Sequence, residues 1–199
     1  MTQSIVLASK SASRRAMLDA AGVVYAVQPA HVDEAAMKAA MLAENQTPRA
    51  IADALAELKA IKIAQQNPQS LVIGSDSVVS VDGRLFDKPE QREDAIQHLQ
   101  LFSGKEMRLT SAVVVAEGGA PVWRHVEEAR LLVRPLSEAF IEAYVDAEWP
   151  AIAGCVGCFR IEGPGVQLFS SVRGDHFTIL GMPLLPLLGY LRLRGAMIS

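Results

Sequence analysis

The chain lacks the features that mark secreted, disulfide-rich and membrane-spanning proteins. Its two cysteines, Cys155 and Cys158, among 199 residues are too few for a disulfide framework. No apolar run approaches the roughly 20 residues that a membrane span requires. The first residues show neither the basic leader nor the cleavage site of a signal peptide. We therefore expect a cytoplasmic protein without a membrane partner.

An excess of charge of one sign is also absent. The 19 basic and 22 acidic residues give a formal net charge of -3, and the isoelectric point is near 5.8. The chain therefore has no basic footprint for nucleic acid, and we expect no nucleic-acid partner. A site for phosphate groups would have to be a local cluster of cations.

Hydrophobic residues make up 50% of the chain, which allows a core for one domain or two closely fused lobes. Short apolar runs alternate with stretches of helical periodicity. The predicted strands cover residues 5–8, 23–27, 71–74, 78–81, 112–116, 127–134 and 166–170. The predicted helices cover residues 13–21, 53–66, 89–102 and 183–192, with one more capped by Ser137. This interleaving predicts an α/β fold with a mixed sheet.

The loop after the first strand combines small hydroxyl residues with two arginines. Ser9, Ser11 and Ser13 lie between a strand and a helix N-terminus, where amides and hydroxyls can bind an anion. Arg14 and Arg15 oppose the helix dipole, which favours acidic residues in the first turn. A bound phosphate would resolve that conflict. The alternative is a solvated helix start, capped by Ser11 or Ser13.

A second polar segment follows the predicted strand over residues 71–74 and contains Asp76. An aspartate at the carboxyl end of a strand in an α/β sheet is well placed for catalysis or metal binding. The alternative is an aspartate that closes a turn through its own backbone. Glu34, Lys59 and Lys88 have no distinguishing pattern by themselves.

The remaining chemical signal is the single C-x-x-C pair of Cys155 and Cys158. One such pair, without a second pair or histidines at ligand spacing, is weak evidence for zinc or redox chemistry. A small zinc or redox protein therefore remains a minor alternative.

A series of short motifs runs along nearly the whole chain. Its first member, the octapeptide from Leu7 to Arg14, resembles the opening L-A-S-x-S-P-x-R of the Maf family of nucleotide pyrophosphatases. The other motifs with family counterparts, in chain order, are Val32-Asp33-Glu34, Leu55-Ala56-Glu57-Leu58-Lys59-Ala60, Val72-Ile73-Gly74-Ser75-Asp76-Ser77-Val78-Val79, Asp82-Gly83, Lys88-Pro89, Ser103-Gly104-Lys105, Ala153-Gly154, Glu162-Gly163 and Leu180-Gly181-Met182-Pro183-Leu184. Their common order makes the resemblance specific.

The resemblance implies an enzyme that hydrolyses a nucleoside triphosphate to the monophosphate and pyrophosphate. It implies one Maf-like domain over residues 1–199, with a Maf or ITPase-like fold: a mixed twisted sheet flanked by helices, in two lobes around a central cleft. It also implies a divalent cofactor, Mg²⁺ or Mn²⁺, and a homodimer. The family is further linked to septum formation and to the removal of non-standard nucleotides.

The same resemblance implies a role for each candidate site residue. Asp76 would be the general base that activates the attacking water, or would share a metal that does so. Glu34 would be a further metal ligand. The residues implied to line the phosphate tail are Ser9, Ser11, Arg14, Lys59 and Lys88.

Three positions are implied to select the base. The subgroup active on dTTP and UTP has S-P-R-R, then G-A-D-T, then a glutamine before glycine, where this chain has Ser13, Ser77 and Glu162. Glu162 and the residues around it look more like the subgroup active on 7-methyl-GTP. A carboxylate suits guanine, whose N1 and exocyclic amine are donors, and methylation at N7 adds positive charge. We therefore predict 7-methyl-GTP as the substrate.

Departures from the family pattern leave alternatives open. Ala12 stands at the usual proline, Asp87 replaces the glycine before Lys88, and the segment over residues 154–161 is longer than usual. A dTTP/UTP pyrophosphatase of the same family is the first alternative. A non-catalytic nucleotide-binding regulator of septum formation is the second.

Overall fold

The computed structural model describes residues 3–198. Its strands are β1 (Ile5–Leu7), β2 (Ala26–Val27), β3 (Leu71–Val81), β4 (Arg84–Phe86), β5 (Glu106–Glu117), β6 (Ala120–Val133) and β7 (Phe169–Arg173). Its α-helices are α1 (Ala12–Ala20), α2 (Glu34–Ala43), α3 (Pro48–Ala64), α4 (Arg92–Phe102), α5 (Glu138–Glu148), α6 (His176–Leu180) and α7 (Leu184–Leu193). Short 3₁₀ turns cover Ala151–Gly154 and Pro164–Leu168. No helix over residues 3–198 is long and apolar enough to cross a membrane.

The seven strands form one mixed sheet in the order β2-β1-β3-β5-β6-β7, with β4 paired to β3. Strand β1 is parallel to both β2 and β3, as expected when helices connect consecutive strands. Strand β4 is antiparallel to β3, and β7 is antiparallel to β6. The predicted α/β class with a mixed sheet flanked by helices is therefore confirmed.

The chain divides into two compact units. Unit 1 comprises the residues up to Ser77, the segment Thr110–Glu127 and the residues from His176 onward, whereas unit 2 comprises Val78–Leu109 and Glu128–Asp175. A buried apolar cluster in unit 1 joins β1, α1, β3, β5 and α7: Ile5, Leu7, Met17, Leu18, Val23, Leu71, Ile73, Val113, Val115, Met182, Leu184, Leu187, Leu188 and Leu191. In unit 2, the Phe86 ring packs edge-on against the rings of His98 and Phe102.

The polar segment around Asp76 lies inside a strand, so the prediction that a strand ends at residue 74 was wrong. Strand β3 continues to Val81, and Gly74, Ser75 and Asp76 are all buried. Gly74 serves close packing rather than a turn: an added Cβ would lie 2.2 Å from the Ala56 carbonyl oxygen and 2.6 Å from the Ala60 nitrogen. The parallel pairing with β1 does end at Ile73. Asp76 therefore lies beyond the carboxyl end of that pairing, although its own strand continues.

Helix α2 was missed because it has no apolar stripe. Asp33 caps it by accepting a hydrogen bond from the Ala36 amide at 2.9 Å, and the helix contains no buried residue.

Several predicted boundaries also differ: α4 begins at Arg92 rather than at Pro89, and β5 and β6 begin earlier than predicted, at Glu106 and Ala120. Two further differences have local reasons. Helix α3 begins at Pro48, a favourable first position, and the strand predicted over residues 166–170 begins only at Phe169, after a 3₁₀ turn.

Candidate active site

The centre of the site in unit 1 is an ammonium group shared by two carboxylates. Lys59 Nζ lies 2.5 Å from Asp76 Oδ1 and 2.9 Å from Glu34 Oε1. Lys59 and Asp76 are only 6% and 7% exposed, whereas the Glu34 side chain is half exposed. The structure therefore brings together the predicted base, the predicted metal ligand and one predicted phosphate-binding lysine.

Close packing of α3 on β3 explains how Lys59 reaches Asp76. The small residues Ala56 and Ala60 flank Lys59 on α3, and their backbone atoms would collide with any side chain at Gly74. Because Gly74 has no side chain, the α3 backbone can approach β3 closely. Glu34 reaches Lys59 from the first turn of α2, where the helix dipole favours a negative charge.

This cluster offers oxygen donors that suit a hard divalent cation. Over residues 3–198, no group of three or more His, Cys, Asp or Glu side chains is placed to hold a metal ion. Mg²⁺ is usually bound by one or two carboxylates, with water and substrate phosphates completing the shell. Asp76 and Glu34 match that donor set and would hold such an ion together with a phosphate chain.

Arg14 is turned into the protein. Its guanidinium donates to the Gly181 carbonyl at 2.9 Å, to Ser9 Oγ at 3.3 Å and to Ser77 Oγ at 3.2 Å. Burial lowers the pKa of Arg14, while the charges of Asp76 and Glu34 act in the opposite direction. Arg14 therefore contributes positive charge to the carboxylate cluster, although its hydrogen bonds go to neutral oxygens.

The serines of the first loop make local hydrogen bonds. Ser11 Oγ caps α1 by accepting from the Arg14 amide at 3.4 Å, as one alternative predicted. Ser9 Oγ accepts from the Ser11 amide at 3.2 Å. Ser13 Oγ donates to the Leu180 carbonyl at 2.7 Å. All of these contacts are made within the protein, so the phosphate-binding role of the loop stays a prediction.

Four residues of the hydrogen-bond network that surrounds Arg14 and Ser77 were not predicted as site residues: Ser75, Ser111, Thr178 and Gly181. Ser77 Oγ lies 2.8 Å from Ser111 Oγ, and Ser75 Oγ donates to the Gly181 carbonyl at 3.1 Å. Gly181 belongs to one of the family-like motifs, which was its only sequence signal. No sequence pattern distinguished Ser111.

The other two predicted site residues, Lys88 and Glu162, are exposed and lie in unit 2. Burial raises the pKa of the Cys155 thiol; the charge of Glu162 raises it further, whereas Arg160 and Lys88 lower it. The charges of Lys88 and Glu162 therefore both act on the Cys155 thiol.

Both thiols of the C-x-x-C pair are held in their neutral form. Burial is the largest cause that raises the pKa of Cys158 to about 12, and the Cys155 pKa is raised as well. Cys158 Sγ lies 3.5 Å from His98 Nδ1. Because the thiolate is the nucleophile and the metal ligand, this environment does not favour redox or zinc chemistry.

Comparison with known proteins identifies the family of the chain. The model of the family described as Maf-like protein matches residues 4–194. A relative from Sphingopyxis alaskensis named nucleoside triphosphate pyrophosphatase is 53% identical over 192 residues, 96% of this chain and 97% of that protein. A relative of the same name from Ruegeria pomeroyi is 48% identical, over 98% of this chain and 98% of that protein. Another from Caulobacter vibrioides is also 48% identical, over 97% of this chain and 96% of that protein. The chain belongs to the Maf family.

Proposed function

We propose that this protein is a nucleoside triphosphate pyrophosphatase that hydrolyses 7-methyl-GTP to 7-methyl-GMP and pyrophosphate. The observation that carries the proposal is the buried ammonium of Lys59, which contacts both Asp76 and Glu34. The names of the relatives, which share about half of their residues with this chain, support the pyrophosphatase activity. Such an enzyme is a hydrolase that acts on an acid anhydride in nucleotide metabolism.

In the proposed reaction, water attacks the α-phosphorus and the bond to the bridging oxygen of the β-phosphate breaks. Asp76 accepts the proton of the attacking water, and pyrophosphate leaves with the bonding electron pair. Lys59 orients the Asp76 carboxylate through its 2.5 Å contact. Positive charge near the departing diphosphate favours this step because negative charge develops there.

A divalent cation, Mg²⁺ or Mn²⁺, held by Asp76 and Glu34 would supply further neutralisation of the phosphate charge. Ser9, Ser11 and Lys88 are proposed to bind phosphate oxygens, and Arg14 to add positive charge from its buried position. Lys59 also keeps the two carboxylates, which repel each other, within reach of one ion. A cytoplasmic location and a homodimer also belong to this proposal.

Glu162 is proposed to read the base, together with Ser13 and Ser77. Its exposed carboxylate can accept hydrogen bonds from the N1 and exocyclic amine of guanine and attracts the positive charge that N7 methylation adds. We expect Glu162→Gln to shift the preference from guanine nucleotides towards dTTP and UTP, because an amide also donates. The ratio of kcat/KM for 7-methyl-GTP to that for dTTP measures the shift, which should be at least roughly tenfold.

The matched control is Glu90→Gln, which makes the same change at an exposed position of unit 2 and should leave this ratio unchanged. An unaltered ratio in Glu162→Gln would remove Glu162 from base recognition while leaving the reaction type intact.

A pyrophosphate-release assay tests the proposed function directly. The wild-type protein is incubated with 7-methyl-GTP, GTP, dTTP, UTP or CTP, with Mg²⁺, with Mn²⁺ or with a chelator. We expect metal-dependent release that is fastest with 7-methyl-GTP. Preference for dTTP or UTP would instead support the alternative substrate class. Tight nucleotide binding without turnover under any condition would support the non-catalytic regulator.

A further inference from the structure

The carbonyl of Gly181 collects side-chain donors from two distant parts of unit 1. Gly181 ends α6 with a φ of 109°, and the last carbonyls of a helix have no partner within that helix. Its oxygen accepts from Arg14 Nε at 2.9 Å and from Ser75 Oγ at 3.1 Å. Ser77 Oγ also lies 3.1 Å from it. The end of α6 is thereby held against β3 and α1.

The two serines that contact the Gly181 carbonyl, Ser75 and Ser77, lie on either side of Asp76 in β3. Successive side chains of a strand point to opposite faces, so Ser75 and Ser77 face the Gly181 carbonyl while Asp76 faces away from it, towards Lys59. Anchoring residues 75 and 77 therefore restrains the backbone that carries the Asp76 carboxylate.

Ser77 connects the hydrogen bonds of Arg14 with those of Ser111 and the end of α6. A serine hydroxyl has a single proton, and that of Ser111 is donated to the Thr178 carbonyl at 2.8 Å. The single proton of Ser77 therefore has two acceptors within reach, Ser111 Oγ at 2.8 Å and the Gly181 carbonyl at 3.1 Å. Ser77 in turn accepts from the Arg14 guanidinium at 3.2 Å. The resulting chain runs from Arg14 through Ser77 and Ser111 to Thr178.

Most of this network is enclosed by protein, and Ser77 is half-buried. Ser75, Ser111 and Thr178 are 0% exposed, and Arg14 is 9% exposed. A buried network in which each hydroxyl has a donor role is rigid, because leaving one of its groups without a partner is costly in a medium of low dielectric constant. The network therefore holds the β3 backbone next to Asp76 in a single conformation.

We infer that Ser75 and Ser111 are positioning residues, which fix β3 to the C-terminal turn of α6 and so hold the Asp76 carboxylate in its orientation against Lys59. The inference rests on the proposed function, in which Asp76 is the base. Their hydroxyls are committed to the carbonyls of Gly181 and Thr178, so they act through Asp76 rather than on substrate. Loss of either serine hydroxyl should therefore slow the reaction more than it weakens nucleotide binding.

The test compares Ser75→Ala, Ser111→Ala and the double variant in the pyrophosphate-release assay. Each single variant should lower kcat by roughly tenfold, because small displacements of a reacting group are costly, and should change KM by less than about twofold. The double variant should lose less than the product of the two single losses, because both residues hold the same segment. The nucleotide is the one that wild type hydrolyses fastest.

Ser70→Ala is the matched control. Ser70 is also buried, at 9% exposed, and its Oγ lies 2.8 Å from Ser4 Oγ, immediately before β3 begins and outside the network around Ser77. It should retain kcat within about twofold while its melting temperature reports the cost of losing a buried hydroxyl. Melting temperatures of all variants show whether each is folded. Ser75 and Ser111 donate to different carbonyls. If one single variant does not fold, the other single variant still tests the inference.

Three results would overturn the inference. The first is a kcat within twofold of wild type in both single variants. The second is a loss in Ser70→Ala equal to that in Ser111→Ala, which would indicate general loosening of the core. A wild-type protein that releases no pyrophosphate from any nucleotide would overturn the proposed function together with this inference, whereas the first two results leave the proposed function standing.

Discussion

Asp76→Asn is expected to lower kcat by at least roughly 10²-fold, the usual cost of losing a positioned general base. The amide has nearly the same shape and still presents an oxygen to Lys59 Nζ, so the packing of α3 on β3 should persist. It cannot take the proton of the attacking water. Steady-state pyrophosphate release, with circular dichroism to verify folding, measures the effect.

Asp82→Asn is the control for this experiment. Asp82 is exposed at the β3–β4 turn with a φ of 50°, a conformation that asparagine tolerates well. It should keep wild-type turnover. If Asp76→Asn instead turned over within threefold of wild type, Asp76 would not be the base, and another route for the proton would be required.

Lys59→Met is expected to have the second largest effect, and it should affect both stability and turnover. Methionine keeps the length and helix propensity of the position but removes the cation that two carboxylates share. Because Asp76 is buried, its charge would lose its close partner, and breaking such a pair typically costs about 3 kcal/mol in the free energy of unfolding. Turnover should fall at least roughly tenfold, because the Asp76 carboxylate loses its orienting contact. Urea unfolding and the release assay measure the two effects.

Lys62→Met on the same helix is the matched control. Lys62 is exposed and donates to the His31 carbonyl, so the substitution should change the free energy of unfolding by only about 0.5 kcal/mol. Equal unfolding curves for Lys59→Met and the wild type would mean that the ion pairs of Lys59 do not stabilise the folded protein. Unchanged turnover would remove Lys59 from the site.

Several local features follow from the chemistry of neighbouring residues, and the predicted cap at Ser137 is confirmed. Ser137 caps α5 by accepting from the Phe140 amide at 3.2 Å. Asp82 and Gly83 both have positive φ, as a tight turn between antiparallel strands requires. Gly118 and Gly119 likewise have positive φ and separate β5 from β6. Each of these features depends on conformational preferences and contacts of neighbouring residues, which a sequence displays directly.

Other features could not be inferred because they depend on distant parts of the chain. The predicted strand ended at Gly74, whereas in the structure Gly74 lies inside β3 and admits the α3 backbone. Glu34, Lys59 and Asp76 were connected only by resemblance to a family, since nothing in their spacing indicates that Lys59 contacts both carboxylates. Ser111 had no pattern at all, because its hydrogen-bond partner in α6 is 67 positions away.

The sequence by itself determined the α/β class, most of the turns and caps, and the family with its set of candidate residues, because periodicity, conformational preference and motif order are all properties of the linear chain. Only the tertiary structure decided that Asp76 lies within a continuous strand, that Lys59 holds it together with Glu34, and that buried Arg14 points to carbonyl and hydroxyl oxygens. Those outcomes depend on which backbones approach closely and which buried donors find acceptors, and both are set by the packing of segments far apart in the chain.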